Sequence, residues 1–222
     1  MSDKFTFSSA GLVHELELAM DRAGGYNAGL VKRMCQGDHL VHIREYLLGH
    51  AEVKMPKRII TCAAFFNPAE FLGGGWSIWK GPADGDGLSG EEDQDERSLM
   101  ITELDLAELL FETCLKEKEE YIAGEEKLKR LKTKNSVLLG GRQFLALRQD
   151  WQKNGSESAL EWLYETKGAT YLDFPGLVLR RPDGRRCLLA FCRDGGGRWG
   201  WGYYWLGGDW FGDNPSAVLA SN

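Results

Sequence analysis

The chain has 222 residues, 43% hydrophobic and 27% charged, proportions that exclude a wholly disordered, collagen-like or coiled-coil chain. No run approaches the roughly 18 consecutive apolar residues of a membrane-spanning helix. With 27 basic against 33 acidic residues the net charge is −6, which disfavours non-specific nucleic-acid binding unless basic residues cluster.

In chain order, Ser8 or Ser9 caps a predicted first helix whose Leu12, Val13, Leu16, Ala19 and Met20 follow helical spacing until Gly24-Gly25. A second carries Leu30, Val31, Met34 and Cys35 and ends at Gly37. Asp38 caps a third, with Leu40, Val41, Arg44, Leu47 and Leu48 in register and Gly49 at its end. Residues 51–80 read as irregular or β, broken by Pro56, Pro68 and Gly73-Gly74-Gly75. Asp84 to Glu96 holds seven acidic residues, three glycines and no aromatic, and is expected to be a mobile surface loop. Leu104, Leu106, Leu109 and Leu110 suggest a helix, a charged stretch runs from Lys116 to Lys134, and short helices are expected at 142–150 and 156–165.

After Phe174-Pro175-Gly176 come three β-like runs, Leu177–Arg181, Arg186–Arg193 and Arg198–Leu206. Their connectors, Pro182-Asp183-Gly184 and Asp194-Gly195-Gly196-Gly197, are hairpin signals, so a three-stranded antiparallel meander is predicted. The expected fold class is α+β: a helical N-terminal half, short middle helices and a C-terminal antiparallel β-meander. Three regions follow: 1–83, helical with a short irregular or β segment; 84–97, the acidic loop; and 98–222, helices and then the meander.

The closing segment from Arg198 to Ser221 resembles the end of an uncharacterised protein family of uncultured candidate-phylum bacteria. The shared pattern is W-x-W-x-Y-x-W-L, then a tryptophan and N-P-A-A, matched by Trp199, Trp201, Tyr203, Trp205, Leu206, Trp210, Asn214, Pro215 and Ala217, with Ser216 replacing one alanine. Arg22 to Val53 is similar to the family's N-terminal helices, and Phe66 to Ile78 to its F-x-P-x-G-W-x-V segment. The 84–97 stretch looks inserted relative to that pattern, and 142–170 departs from it. The resemblance implies a bacterial cytoplasmic protein and, since the family has no assigned activity, supplies no catalytic residue.

Five cysteines, Cys35, Cys62, Cys114, Cys187 and Cys192, form an odd set without C-x-x-C. The last two, five apart on one strand, point to opposite faces, and reduced cytoplasmic thiols are expected. Met1-Ser2-Asp3-Lys4 lacks the basic and apolar regions of a secretory signal.

Several motifs fail on physical grounds. G-x-G-x-x-G occurs at Gly85–Gly90, among acidic residues that repel a pyrophosphate, and at Gly195–Gly200, in a hairpin rather than at a helix start. Asp84-Gly85-Asp86-Gly87 resembles a calcium loop but continues into Leu88 and Ser89, where an oxygen ligand and a glycine are needed. His39 and His42 share a helix face and could chelate a metal with Cys35 or Glu45, yet neither H-E-x-x-H nor C-x-x-C supports this, and burial disfavours Cys35 as a nucleophile paired with His39. A helix-turn-helix over 28–48 offers only Arg44 to read bases. Lys127, Lys129, Arg130, Lys132 and Lys134 read as a solvated helix face.

The alternation Trp199, Trp201, Tyr203, Trp205 places four rings on one sheet face, with Gly200 and Gly202 on the other. The large rings favour packing as core beneath helices at 104–113 and 156–165; the other reading is a binding platform. With Arg198, these rings are the candidate interaction surface. No catalytic, cofactor-binding or metal-ligating residue is assigned, and no cofactor is implied. The expected function is a non-catalytic cytoplasmic binding or scaffold protein acting through protein contacts, off the membrane. One alternative is an enzyme whose site is assembled from distant residues. The other is a nucleic-acid binder using Lys127 to Lys134 and the aromatics. Nothing in the sequence sets the partner or the oligomeric state.

Overall fold

Among the described residues from 58 onward there are twelve short strands, five α-helices and two 3-10 turns, so this part is mostly β. The computed structural model describes residues 58–62 and 64–221, together with Val41, Arg44, Glu45 and 48–50. Contacts divide the chain into two units, Met1–Met55 and Pro56–Asn222. In the first, Val41, Arg44 and Glu45 are helical, and Glu45 meets Arg44 at 2.8 Å and His50 at 3.1 Å. The predicted helices before residue 38, with Cys35, His14, His39 and His42, lie outside the described residues.

The second unit opens with β1 (Ile59–Thr61), α1 (Pro68–Leu72), β2 (Ser77–Ile78), α2 (Glu96–Leu99), β3 (Glu103–Asp105) and β4 (Leu110–Glu112). Its middle holds β5 (Tyr121–Ala123), α3 (Gly124–Thr133), β6 (Ser136–Leu138), α4 (Gly141–Asn154) and α5 (Ala159–Lys167). It closes with β7 (Tyr171–Asp173), β8 (Leu179–Arg180), β9 (Arg186–Arg193), β10 (Trp199–Trp205), β11 (Asp209–Phe211) and β12 (Ser216–Ala220).

The α+β expectation is therefore corrected. A helical N-terminal half is not seen: among the described residues from 58 to 111 the α-helices are only α1 and α2, of five and four residues. The leucines at 104–110 do not form a helix. Leu104 lies in β3, paired antiparallel with β1, and Asp105 accepts from the Ala107 amide to start a single 3-10 turn before β4. Leu104, Leu106 and Leu109 are buried and Leu110 is exposed, so a short strand followed by a 3-10 turn had mimicked part of a helical stripe.

β9 organises an eight-stranded mixed sheet. One edge pairs antiparallel with β10 along its whole length, and the other is shared by β7 and β8. β8, β9 and β10 thus form a meander, but it is not terminal. β12 returns beside β7 in parallel and also pairs antiparallel with β4 and β6.

Each face of β9 has its own core, as period-two alternation requires. Cys187, Leu189 and Phe191 join Phe144, Leu147, Leu160 and Leu163 from α4 and α5. Phe144 is the hub, stacked on Phe191 at 4.7 Å and edge-on to Phe174 at 5.4 Å and Phe71 at 5.6 Å. Leu188 and Ala190 face the other way, onto Leu128 of α3 with Trp79 and Trp210.

The acidic stretch lies mostly at the surface but is tied into the sheet at its end. The Asp93 carbonyl accepts from the Val178 amide, and the Asp95 amide donates to the Gly176 carbonyl. Asp93 also meets Arg186 at 3.0 Å and pairs with Lys132, so long-range partners order this stretch without apolar side chains.

Candidate functional site

The meander's connectors set the geometry of the candidate surface. Gly184 takes φ +83°, favourable for glycine, and Asp183 accepts from the Arg185 amide. In the second connector Asp194 accepts from the amides of Gly196 and Arg198, which with the Arg198 guanidinium hold its carboxyl below the usual range. Gly197, at φ +80°, completes the turn. The resulting register sets Trp201 opposite Phe191, Tyr203 opposite Leu189 and Trp205 opposite Cys187. All four ladder rings therefore face the α4 side of the sheet.

Their burial is graded along the strand. Trp199 is 4% exposed, and Trp201, partly buried, packs on Phe71 at 4.8 Å and Phe144 at 5.9 Å. Tyr203 touches Trp76 at 4.5 Å yet is 40% exposed, and Trp205 is 49% exposed. The cover over Trp201 comes from α1 and α4, not from a helix at 104–113, which does not form.

Guanidinium groups accompany the rings. Arg148 lies 5.6 Å from the Trp201 centroid, Arg181 5.6 Å from Tyr203 and Arg185 5.1 Å from Trp205. Such contacts contribute about 0.5–1 kcal/mol each when exposed. A single carboxylate, Asp183, serves both Arg181, at 3.4 Å, and Arg185, at 3.7 Å. Arg198, the fifth predicted surface residue, extends into solvent at the other end of the strand and pairs with Asp194 at 3.0 Å. The structure thus joins Tyr203 and Trp205 with Arg181 and Arg185, which the sequence pattern did not single out. The signal for them was present: six arginines against two aspartates between Leu177 and Leu206 of an otherwise acidic chain.

Two other constellations carry charged groups. Lys127 Nζ lies 2.7 Å from Asp173 Oδ2 and donates to the Asn214 carbonyl at 2.6 Å, while Ser216 Oγ donates to Asp173 Oδ1 at 2.6 Å. Burial pushes the Asp173 carboxyl up, and Lys127 and Ser216 pull it back. These are residue types of hydrolytic sites, but the Lys127 side chain is 2% exposed and that of Asp173 0%. No substrate reaches them, and the network is a structural tie between α3, β7 and β12.

On the α3 side, a cleft of about 620 Å³ is lined by Glu125, Glu126, Lys129, Lys132 and Arg186 among others. Arg186 lies 4.9 Å from the Trp79 ring centroid and faces two carboxylates, Asp93 at 3.0 Å and Glu125 at 2.9 Å. Burial raises the Glu125 carboxyl against the pull of Arg186. The guanidinium is already matched, so the cleft has no net charge there to hold an anion.

Four of the five residues of the basic run are likewise occupied, and Lys129 is exposed. Lys127 is buried, Arg130 pairs with Glu119 and Glu126, Lys132 with Asp93, and Lys134 with Glu112. Among the described residues no group of three His, Cys, Asp or Glu side chains is arranged to hold a metal ion, and no helix is long and apolar enough to cross a membrane. Cys62, Cys114, Cys187 and Cys192 are free thiols, with Cys62 and Cys187 pushed up to about 11 chiefly by burial. Comparison with protein-family models, with curated proteins and with solved structures finds no match to this chain.

Proposed function

We propose that the chain is a non-catalytic binding protein that holds a protein partner on the exposed end of its meander. The carrying observation is the gradient along β10. A ladder built only as core would be covered throughout, whereas Tyr203 and Trp205 emerge at 40% and 49% exposure under guanidinium groups. Tryptophan, tyrosine and arginine are the side chains that dominate interface energetics, because each presents a large rigid surface with a polar handle. A bacterial cytoplasmic setting fits the free thiols and the resemblance of the closing segment.

The test is affinity capture with the full chain and with Trp205→Ala/Arg185→Glu, whose melting is compared first. A partner retained by the parent and lost by an equally stable variant is expected. Equal capture by both would remove this surface from the function.

A further inference from the structure

The proposed surface borders a backbone edge whose hydrogen-bonding groups are largely unpaired among the described residues. The Leu206 amide donates to the Arg186 carbonyl at 3.0 Å, and the Asp194 amide to the Arg198 carbonyl at 2.9 Å. Antiparallel alternation then directs the even-numbered residues of β10 to β9. The amides and carbonyls of Trp201 and Tyr203, and the Trp205 amide, point away from the sheet and meet no partner among the described residues. Only the Trp205 carbonyl at that end is engaged, by the Gly208 amide at 3.2 Å and the Trp210 indole at 3.4 Å.

Proteins usually blunt such an edge with lysine, proline or a bulge, because it invites another strand. β10, Trp-Gly-Trp-Gly-Tyr-Tyr-Trp, has neither lysine nor proline and pairs with β9 without a bulge. A Cβ placed on Gly202 would meet nothing within 4 Å, so the sheet face opposite the ladder is unobstructed there.

Charge selects the occupant. Arg148 pairs with no described carboxylate, its Nη1 donating instead to Gln152 at 3.1 Å, and Asp183 matches only one of the charges of Arg181 and Arg185. Two positive charges are thus left over on the ladder face, over the rings of β10. A second copy would bring the same arginine-rich strand pair against this one, like charge to like. A nucleic acid would not use the row of backbone donors and acceptors, and it is disfavoured by the net charge of −6.

Resting on the binding-protein reading, we infer that β10 accepts an extended segment of a partner protein as an added strand. Alternate residues of that segment are acidic and lie on the Arg148–Arg181–Arg185 face. Backbone bonds supply affinity and alternate side chains supply selectivity, as in other strand additions.

The probe is a displayed library of random peptides about a dozen residues long, panned on the full chain. Enrichment of sequences with Asp or Glu at alternate positions is expected; enrichment of basic sequences, or of none, would overturn the inference. The best peptide is then titrated against Tyr203→Ala and Tyr203→Pro. Both lose the ring, but only proline removes an outward amide, one that makes no bond to β9. Proline is expected to weaken binding about tenfold beyond alanine. Because proline can also loosen the strand, amide exchange is read on the unsubstituted chain, where the peptide should protect Trp201, Tyr203 and Trp205.

Equal loss in both variants without such protection would overturn strand addition and leave side-chain docking intact. Loss of binding in Trp205→Ala/Arg185→Glu alone would overturn strand addition in the same way. Concentration-dependent dimers abolished by Tyr203→Pro, or displacement of the peptide by single-stranded DNA, would replace the inferred occupant.

Discussion

The two ends of β10 share a strand, a face and an aromatic pattern, yet they occupy different environments. Trp199 is buried in the main core and Trp201 is pinned under α1 and α4 beside the Phe144 hub, while Tyr203 and Trp205 stand at the rim under arginines. The same residue type is core at one end and surface at the other. What separates them is where distant segments close over the sheet.

The comparison is broken most severely at the anchored side. Lys127→Ala would strand the Asp173 carboxylate in a dry site, and a loss of about 3–5 kcal/mol in a urea melt is expected. Lys127→Met/Asp173→Asn should recover most of it, since the amide still accepts from Ser216 and no charge is left buried. If the single variant melts like the parent, the network is not a tie.

Next in size is Trp201→Ala, which opens a hole between Phe71 and Phe144 and should cost about 3 kcal/mol in the same melt. A loss below about 1 kcal/mol, the range of surface changes, would mean that the gradient along the ladder is absent.

A smaller effect is expected at Asp95, which belongs to the anchored side although it lies in the acidic stretch. It accepts from the Arg97 amide at 3.0 Å, the Arg97 guanidinium at 2.7 Å and the Leu138 amide at 2.9 Å. Burial alone would push its carboxyl up, but Arg97 and the two amides outweigh that and hold it below the usual value. A carboxyl lowered by folding contributes stability above its unfolded value, near 3.9, and loses it as pH falls through the lower folded value. Asp95→Asn should therefore cost about 1 kcal/mol at pH 6, allowing for solvent screening, with the gap closing as pH falls below the unfolded carboxyl value and through the lower folded one. A gap that persists unchanged in acid would assign the loss to packing rather than charge.

Parts of this arrangement were legible in the sequence. The alternation of β10, the runs that became β8 and β9, and the Gly-Asp connectors all encode local geometry, as do the helical stripes that became α4 and α5. The fold class was not, because the leucines at 104–110 satisfy two periods at once and only pairing with β1 and β12 decides between them. Lys127 read as one member of a solvated run, since its partner Asp173 lies 46 residues away. The order in the acidic stretch comes from Lys132, Gly176, Val178 and Arg186, all remote in sequence. The candidate site was half visible: the rings were named, but their gradation depends on Phe71 and Phe144, and the arginines became part of it only through the hairpin.

The smallest effect on stability is expected where the proposed function sits. Trp205 keeps half of its surface in water, and the rest lies against Gly207 and Arg185 rather than in the core, so Trp205→Ala should shift the melt by only about 1 kcal/mol. Arg185→Glu reverses a charge at an exposed position that shares Asp183 with Arg181, and exposed pairs of this kind contribute about 0–1 kcal/mol. Small folding effects at both positions, against a large one at Trp201, would establish that one strand carries a core half and a working half. The decisive measurement is the ratio of melting losses between Trp201→Ala and Trp205→Ala under one buffer. A ratio near one would mean that Trp205 is as structurally committed as Trp201, and the surface proposed for the partner would then have to move off β10.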